Sequence, residues 1–199
     1  MKLKNYKMKI ILIIIVIVIS IIVVLYFFLI GNTDRSEPNI IKLDQTIHVI
    51  GLEINTDDKA IYQDVSKVAV QFNEIKKVYP IPNLKEPWAS INISKDYNPE
   101  KGTFTYVVGD VVNVVDTIPP GLKSYEIPPL TYAVFPIRPK SNIAWGITMG
   151  RMKKFIYTEW LPNSGYSPSG TFGEFELHDE RSLGKHPEIN LYVAIKEKE

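Results

Sequence analysis

The chain has no cysteine, so disulfides, thiolate nucleophiles, lipidated cysteines and cysteine-ligated metals are all excluded. Histidine is almost as scarce. His48, His178 and His186 are the three, and none of the familiar zinc spacings joins them, so neither a metal nor another cofactor is expected. No Gly-x-Ser-x-Gly elbow is present, and "TYVVGD" lacks the glycine spacing and the lysine of a phosphate loop. A basic patch is missing too. Four of the 23 basic residues are lysines within the first nine positions, so the rest of the chain, which carries all 22 acids, is net acidic. Nucleic-acid binding calls for the opposite sign concentrated on one surface, and no such partner is expected.

What the chain has instead is one long apolar run. "MKLKNYKMK" (1–9) is a basic segment, and "IILIIIVIVISIIVVLYFFLI" (10–30) follows it without a single charge. At ~1.5 Å per residue this run matches the ~30 Å hydrocarbon core of a bilayer. It is longer than the apolar part of a cleaved leader and ends in bulky residues, which favours an uncleaved transmembrane helix. Lys2, Lys4, Lys7 and Lys9 precede it and only Arg35 follows closely, so the N-terminus is expected in the cytoplasm and the C-terminal domain outside it. Residues 31–45 read as a polar linker, and 46–199 as one domain long enough to bury its own core.

Within that domain, 46–56 reads as a strand. Asp57 and Asp58 suit a helix start, and Ile61, Val65, Val68, Phe72 and Ile75 form a stripe at helical spacing. "WASINIS" (88–94) and "GTFTYVVGDVVNV" (102–114) read as an antiparallel pair, with Trp88 as a packing or loop aromatic. The order then repeats. Residues 122–137 are extended, Ser141 can cap a helix with Trp145, Met149, Met152, Ile156 and Trp160 on its apolar face, and "FGEFELHDE" (172–180) and "EINLYVAIKE" (188–197) close the unit. The expected fold is α+β, with duplicated β-α-β-β units forming a curved antiparallel sheet and two helices on one face.

In "FGEFELHDE" the period-2 alternation separates Phe175 and Leu177 from Glu174, Glu176 and His178. Phe175 and Leu177, with Ile189, Leu191, Val193 and Ile195, are the natural helix-facing set. The acids, His178 and Tyr192 would then face away from the helices, on a surface that is either wetted or curled into a groove. Pattern alone leaves both open.

Four segments in order, "IPNLKEPWASINISKDYNPEKGTFTYVVGDVV", "YAVFPI", "YTEWLPNSGY" and "FGEFELHDER", resemble the GyrI-like, AraC-type bacterial effector-binding domain, which is also the drug-sensing half of multidrug-responsive regulators. The resemblance spans about 46–197. It implies a pseudo-twofold pair of β-α-β-β units around a central pocket, with Glu176 as the pocket acid and Tyr106 and Trp160 as aromatic positions. In the regulators that acid takes lipophilic cations. His178 stands where the family usually has tyrosine, and no helix-turn-helix accompanies the domain. The resemblance implies a small-molecule binding domain with Glu176, Tyr106 and Trp160 as ligand-binding candidates; the strand alternation adds His178 and Tyr192, and the apolar run 10–30 would hold the protein at the membrane. Two alternatives remain. One is a hydrolase of reactive, cyclopropane-bearing compounds with Glu176 and Tyr106 as its acid and base. The other is a module that signals to another, unspecified membrane protein.

Overall fold

The computed structural model describes residues 2–31, 33–86 and 89–198. It opens on helix α1 (Lys2–Leu29), whose stretch Met8–Leu29 has a mean hydropathy of 3.6 and packs against no core. By length and composition this helix can cross a membrane.

The remainder is an α+β domain built on an antiparallel sheet of nine strands. In chain order these are β1 (Asn39–Lys42), β2 (Ile47–Asp57), β3 (Ser90–Asn98), β4 (Thr103–Val112), β5 (Lys123–Ile127), β6 (Thr131–Ile137), β7 (Tyr166–Pro168), β8 (Glu174–His178) and β9 (Ile189–Glu197). The sheet order is β1-β6-β9-β8-β3-β4-β2-β5, with β7 pairing the end of β9. Helix α2 (Ile61–Val78) follows β2, and helix α3 (Trp145–Phe155) follows β6. The expected duplication is therefore present as β2-α2-β3-β4 and β6-α3-β8-β9, with β3 and β8 meeting at the middle of the sheet.

Both helices form where the sequence places an apolar stripe. The Asp57 carboxylate accepts from the backbone N–H groups of Lys59 and Ala60 ahead of α2, and Lys76 and Lys77 sit in its last turn, where they suit the helix dipole. Val68 and Phe72 are buried on β2 and β4 against Ile50, Tyr106 and Val108. Under α3, Met152, Ile156 and Trp160 pack on Phe135, Ile189, Leu191 and Val193. The ladder of α3 widens over Ile156–Trp160, where the Leu161 N–H reaches back to Ile156 O; the extra residue turns Tyr157 away from the core that Ile156 and Trp160 enter.

The opposite face of the sheet carries a third core, joining Val49, Ile91, Ile93, Val107, Tyr132, Val134 and Phe175. Gly51 and Gly109 lie directly opposite one another, and a Cβ on either would come within 3 Å of backbone oxygen of the partner strand, so the two strands can close up there only as glycine.

Several expectations need correction. Residues 31–45 are not a plain linker, because β1 within them extends the sheet beyond β6, from residue 39 rather than 46. Residues 122–137 form two strands, split at Pro128 and Pro129. Ser141 makes no side-chain cap on the following helix; its hydroxyl donates to Leu29 O of α1 at 2.6 Å. The first strand of the expected pair begins at Ser90, and Trp88 lies outside the described residues.

The largest correction concerns β8. Register pairs Glu176 with Leu191, Glu174 with Val193 and Phe175 with Tyr192. Residues paired directly across an antiparallel ladder share a face, so Glu174, Glu176 and His178 look toward the helices. Phe175 and Leu177 look the other way, with Tyr192. Alternation could not decide the direction because both faces of this sheet are apolar.

Phe175 stacks on Tyr192 at 4.3 Å between ring centroids and meets the Tyr132 ring edge-on at 5.4 Å. Phe175→Ala is expected to destabilise the domain by about 3 to 5 kcal/mol, read from chemical denaturation of the full chain in detergent. A cost below about 1 kcal/mol would mean that this face is not the packed core described.

Candidate functional site

Three rows of residues cross the helix-facing side at the centre of the sheet. Val193, Glu174, Ser94, Tyr106 and Ile54 form one, and Leu191, Glu176, Asn92, Val108 and Leu52 the next. His178, Ser90, Asp110 and Ile50 form the third. The first two rows are apolar at their ends, beneath α2 and α3, and polar in the middle; the third runs from His178 through Ser90 and Asp110 to an apolar end at Ile50. The result is a polar seam along β8 and β3, between two helix-covered cores.

Glu174 and Glu176 lie in that seam at 7% and 8% exposure, so neither is an ordinary surface acid. Lys153 comes down from α3 with Nζ 2.5 Å from a Glu174 oxygen and 3.9 Å from Glu176. The Tyr157 hydroxyl donates to the other Glu174 oxygen at 2.7 Å. The Asn92 amide donates to Glu176 at 3.3 Å and stands 3.1 Å from His178 Nε2, which is itself 3.6 Å from Glu176. Trp145, at the start of α3, lies 6.4 Å from the His178 ring. Tyr62 of α2 reaches across to α3, where Gly146 and Gly150 receive it; a Cβ at either glycine would come within 3 Å of the Tyr62 ring or hydroxyl.

The electrostatics follow from this packing. Burial pushes the Glu176 carboxyl up, but the neighbouring His178 imidazole, the Lys153 charge and the Asn92 amide outweigh it and hold the group below its ordinary 4.5. Burial presses the Lys153 ammonium down, yet the Glu174 and Glu176 charges keep it above the usual lysine range. The Tyr106 and Tyr157 phenols are both held above their ordinary value, by burial first and then by these carboxylates. All four groups therefore keep their ordinary protonation states at neutral pH. Two carboxylate side chains thus face a single lysine from α3.

Of the residues singled out from sequence, Glu176, His178 and Tyr106 come together here. Trp160 does not: its ring lies edge-on to Phe135 at 5.2 Å, and its indole N–H donates to Glu37 at 2.9 Å, inside the α3 core. Tyr192 is on the opposite face, against Phe175. Sequence reasoning missed Lys153, Tyr157 and Asn92. Asn92 could have been found from the β3 alternation, whereas Lys153 adjoins Met152 on an amphipathic helix and reads as solvated until the strand beneath it is known. A surface groove of about 510 Å³, lined by Ile47, Ile91, Val111, Leu177 and Arg181 among others, is separate from this seam.

The Glu176 carboxyl is depressed in the folded state, so its stabilising contribution is complete above the unfolded value near 4.5 and is lost as pH falls toward the lower folded value. Between about pH 5 and pH 3 the wild-type chain should therefore lose stability, and Glu176→Gln, weaker at neutral pH, should lose less over the same window. Parallel acid limbs in thermal denaturation would overturn the assignment.

Solved structures share this fold at low identity. An integron cassette protein from the mobile metagenome of Vibrio cholerae matches with a TM-score of 0.56 at 11% identity, over 81% of this chain and 97% of that one. SAV2435, solved with tetraphenylphosphonium bound, matches with a TM-score of 0.58 at 12% identity, over 81% and 94%. The C-terminal domain of EcmrR matches with a TM-score of 0.61 at 12% identity, over 83% and 100%. No curated protein sequence matches the chain. The profile described as integron-associated effector binding protein matches residues 39–195, which begin at β1 and end in β9, and the chain belongs to that family.

Proposed function

We propose that this protein is a membrane-anchored, extracytoplasmic binding protein that takes an amphipathic, cationic small molecule at Glu176. One observation carries the reading: the seam buries two carboxylates side by side on β8, and Lys153, which faces both, lies close to Glu174 but 3.9 Å from Glu176. A partly desolvated carboxylate strongly prefers a positive partner, and aromatic faces add about 0.5 to 2 kcal/mol for a cation held against them. Tyr62 and Trp145 supply such faces beside the seam. That SAV2435, which has the same fold, was solved with a lipophilic cation supports the choice of ligand class.

The anchor is α1, whose apolar stretch has the length and composition of a span. Four lysines before it and one arginine soon after it support an N-terminus in the cytoplasm and the binding domain outside.

Tetraphenylphosphonium titrated calorimetrically into the full chain in detergent is expected to bind, with affinity falling about tenfold or more in Glu176→Gln. Equal affinities would remove charge recognition by Glu176. Protease added to spheroplasts should digest the domain without lysis, and protection until lysis would reverse the orientation.

A further inference from the structure

We infer that Lys153 is a specificity-determining residue: its ammonium is a tethered cation that occupies the place of a ligand's positive charge, so that a ligand binds by displacing it. The inference rests on the cation-site reading above and adds what that reading leaves open, namely how a site whose carboxylates already face a lysine admits a second cation.

Geometry supports displacement over coexistence. Lys153 Nζ lies 2.5 Å from Glu174 and 3.9 Å from Glu176, so one ammonium spans both acids. Tyr157 and Asn92 take further positions around the same carboxylates, and Tyr62 crosses toward α3 beside Gly146 and Gly150. A cation seated at the pair has to meet oxygen atoms that Lys153 already faces. Lys153 is also the more mobile partner in its contact with Glu174 and Glu176. Its side chain is 30% exposed, whereas those of Glu174 and Glu176 are 9% and 11% exposed and fixed to a central strand. Four rotatable bonds let the ammonium swing to solvent beside Lys154, which is already exposed.

Such an arrangement selects among ligands. A weakly held or strongly hydrated cation gains too little at the carboxylates to replace a charge already bonded there. A ligand that also buries apolar surface against Tyr62 and Trp145 gains enough to drive the exchange. Lys153 thus sets a threshold, and removing it should widen the range of cations accepted.

The test uses the full chain in detergent with tetraphenylphosphonium and, for contrast, tetramethylammonium. Lys153→Met is expected to bind tetraphenylphosphonium about tenfold more tightly than wild type and to gain measurable affinity for tetramethylammonium, while Lys153→Arg keeps the wild-type preference. A second readout needs no variant. Reductive methylation followed by mass spectrometry should label Lys153 slowly in the free protein and faster as tetraphenylphosphonium is added, with Lys154 unchanged as the internal control. If wild type binds but Lys153→Met binds equally or more weakly, or if the ligand leaves Lys153 labelling unchanged or lowers it, displacement is wrong while the cation site stands. If neither protein binds either cation, the cation reading falls and this inference with it.

Discussion

Glu174 and Glu176 stand two residues apart on one face of β8, both buried, and removing a carboxylate from water costs several kcal/mol unless charges and hydrogen-bond donors replace the water. Much of the helix side answers that requirement. α3 supplies Lys153 and, through the widened turn at its end, Tyr157; β3 supplies Asn92; β8 itself supplies His178. The other half of the molecule handles a related demand in the same way. Asp110 of β4 is buried in the third row of the seam, and α2 sends Lys76 to it. Burial pushes the Asp110 carboxyl up, and the lysine counters only part of that push. Each helix of the duplicated fold thus covers an apolar core with one side and sends a lysine to the polar seam from another.

This division explains why the centre of the sheet can be polar without unravelling the domain. The seam is bordered by two apolar clusters and backed by a third on the reverse face, where Tyr132, Phe175 and Tyr192 pack as a group. Strand β8 is therefore acidic on one side and aromatic on the other. A sheet buried on both faces normally excludes charge. Here the charged stripe is tolerated because it lies where the two helices come together and not beneath either of them.

The helical stripes at Ile61–Ile75 and Trp145–Trp160 were legible in the sequence because a 3.6-residue period over four turns has few competing explanations, and the duplicated order of elements followed from them. That Glu176 and His178 share a strand face was legible from the alternation, Tyr106 came from a family resemblance, and the three do meet. The direction of β8 was not legible, because it is set by which residues of β9 it pairs with, and a shift of one residue there exchanges the two faces. Strand β1 was hidden for a simpler reason: four residues inside a polar stretch carry almost no periodic signal. Trp160 was placed correctly on the α3 stripe, but the same stripe is what takes it into the core.

Helix α3 also ties the seam to the apolar helix. Two residues before Lys153, Arg151 donates to Gly31 O at 2.9 Å and to the Tyr26 hydroxyl, and its guanidinium lies 5.7 Å from the Tyr26 ring. Lys140 and Ser141, just ahead of α3, donate to Phe27 O and Leu29 O. These carbonyls belong to the last turn of α1, where no helical N–H remains to satisfy them and where the dipole favours cations. Past that turn Arg35 pairs with Glu159 at 3.0 Å and lies over the Phe155 ring. One helix therefore has three neighbours: its core side holds the sheet, Lys153 reaches the buried acids, and Arg151 with the preceding segment closes the end of α1. A rotation or shift of α3 large enough to withdraw Lys153 from Glu174 would strain the Arg151 contacts, whereas a swing of the Lys153 side chain alone would leave them intact. The flexible lysine stem would let the charge at the centre of the domain change partners while the end of α1 stays capped.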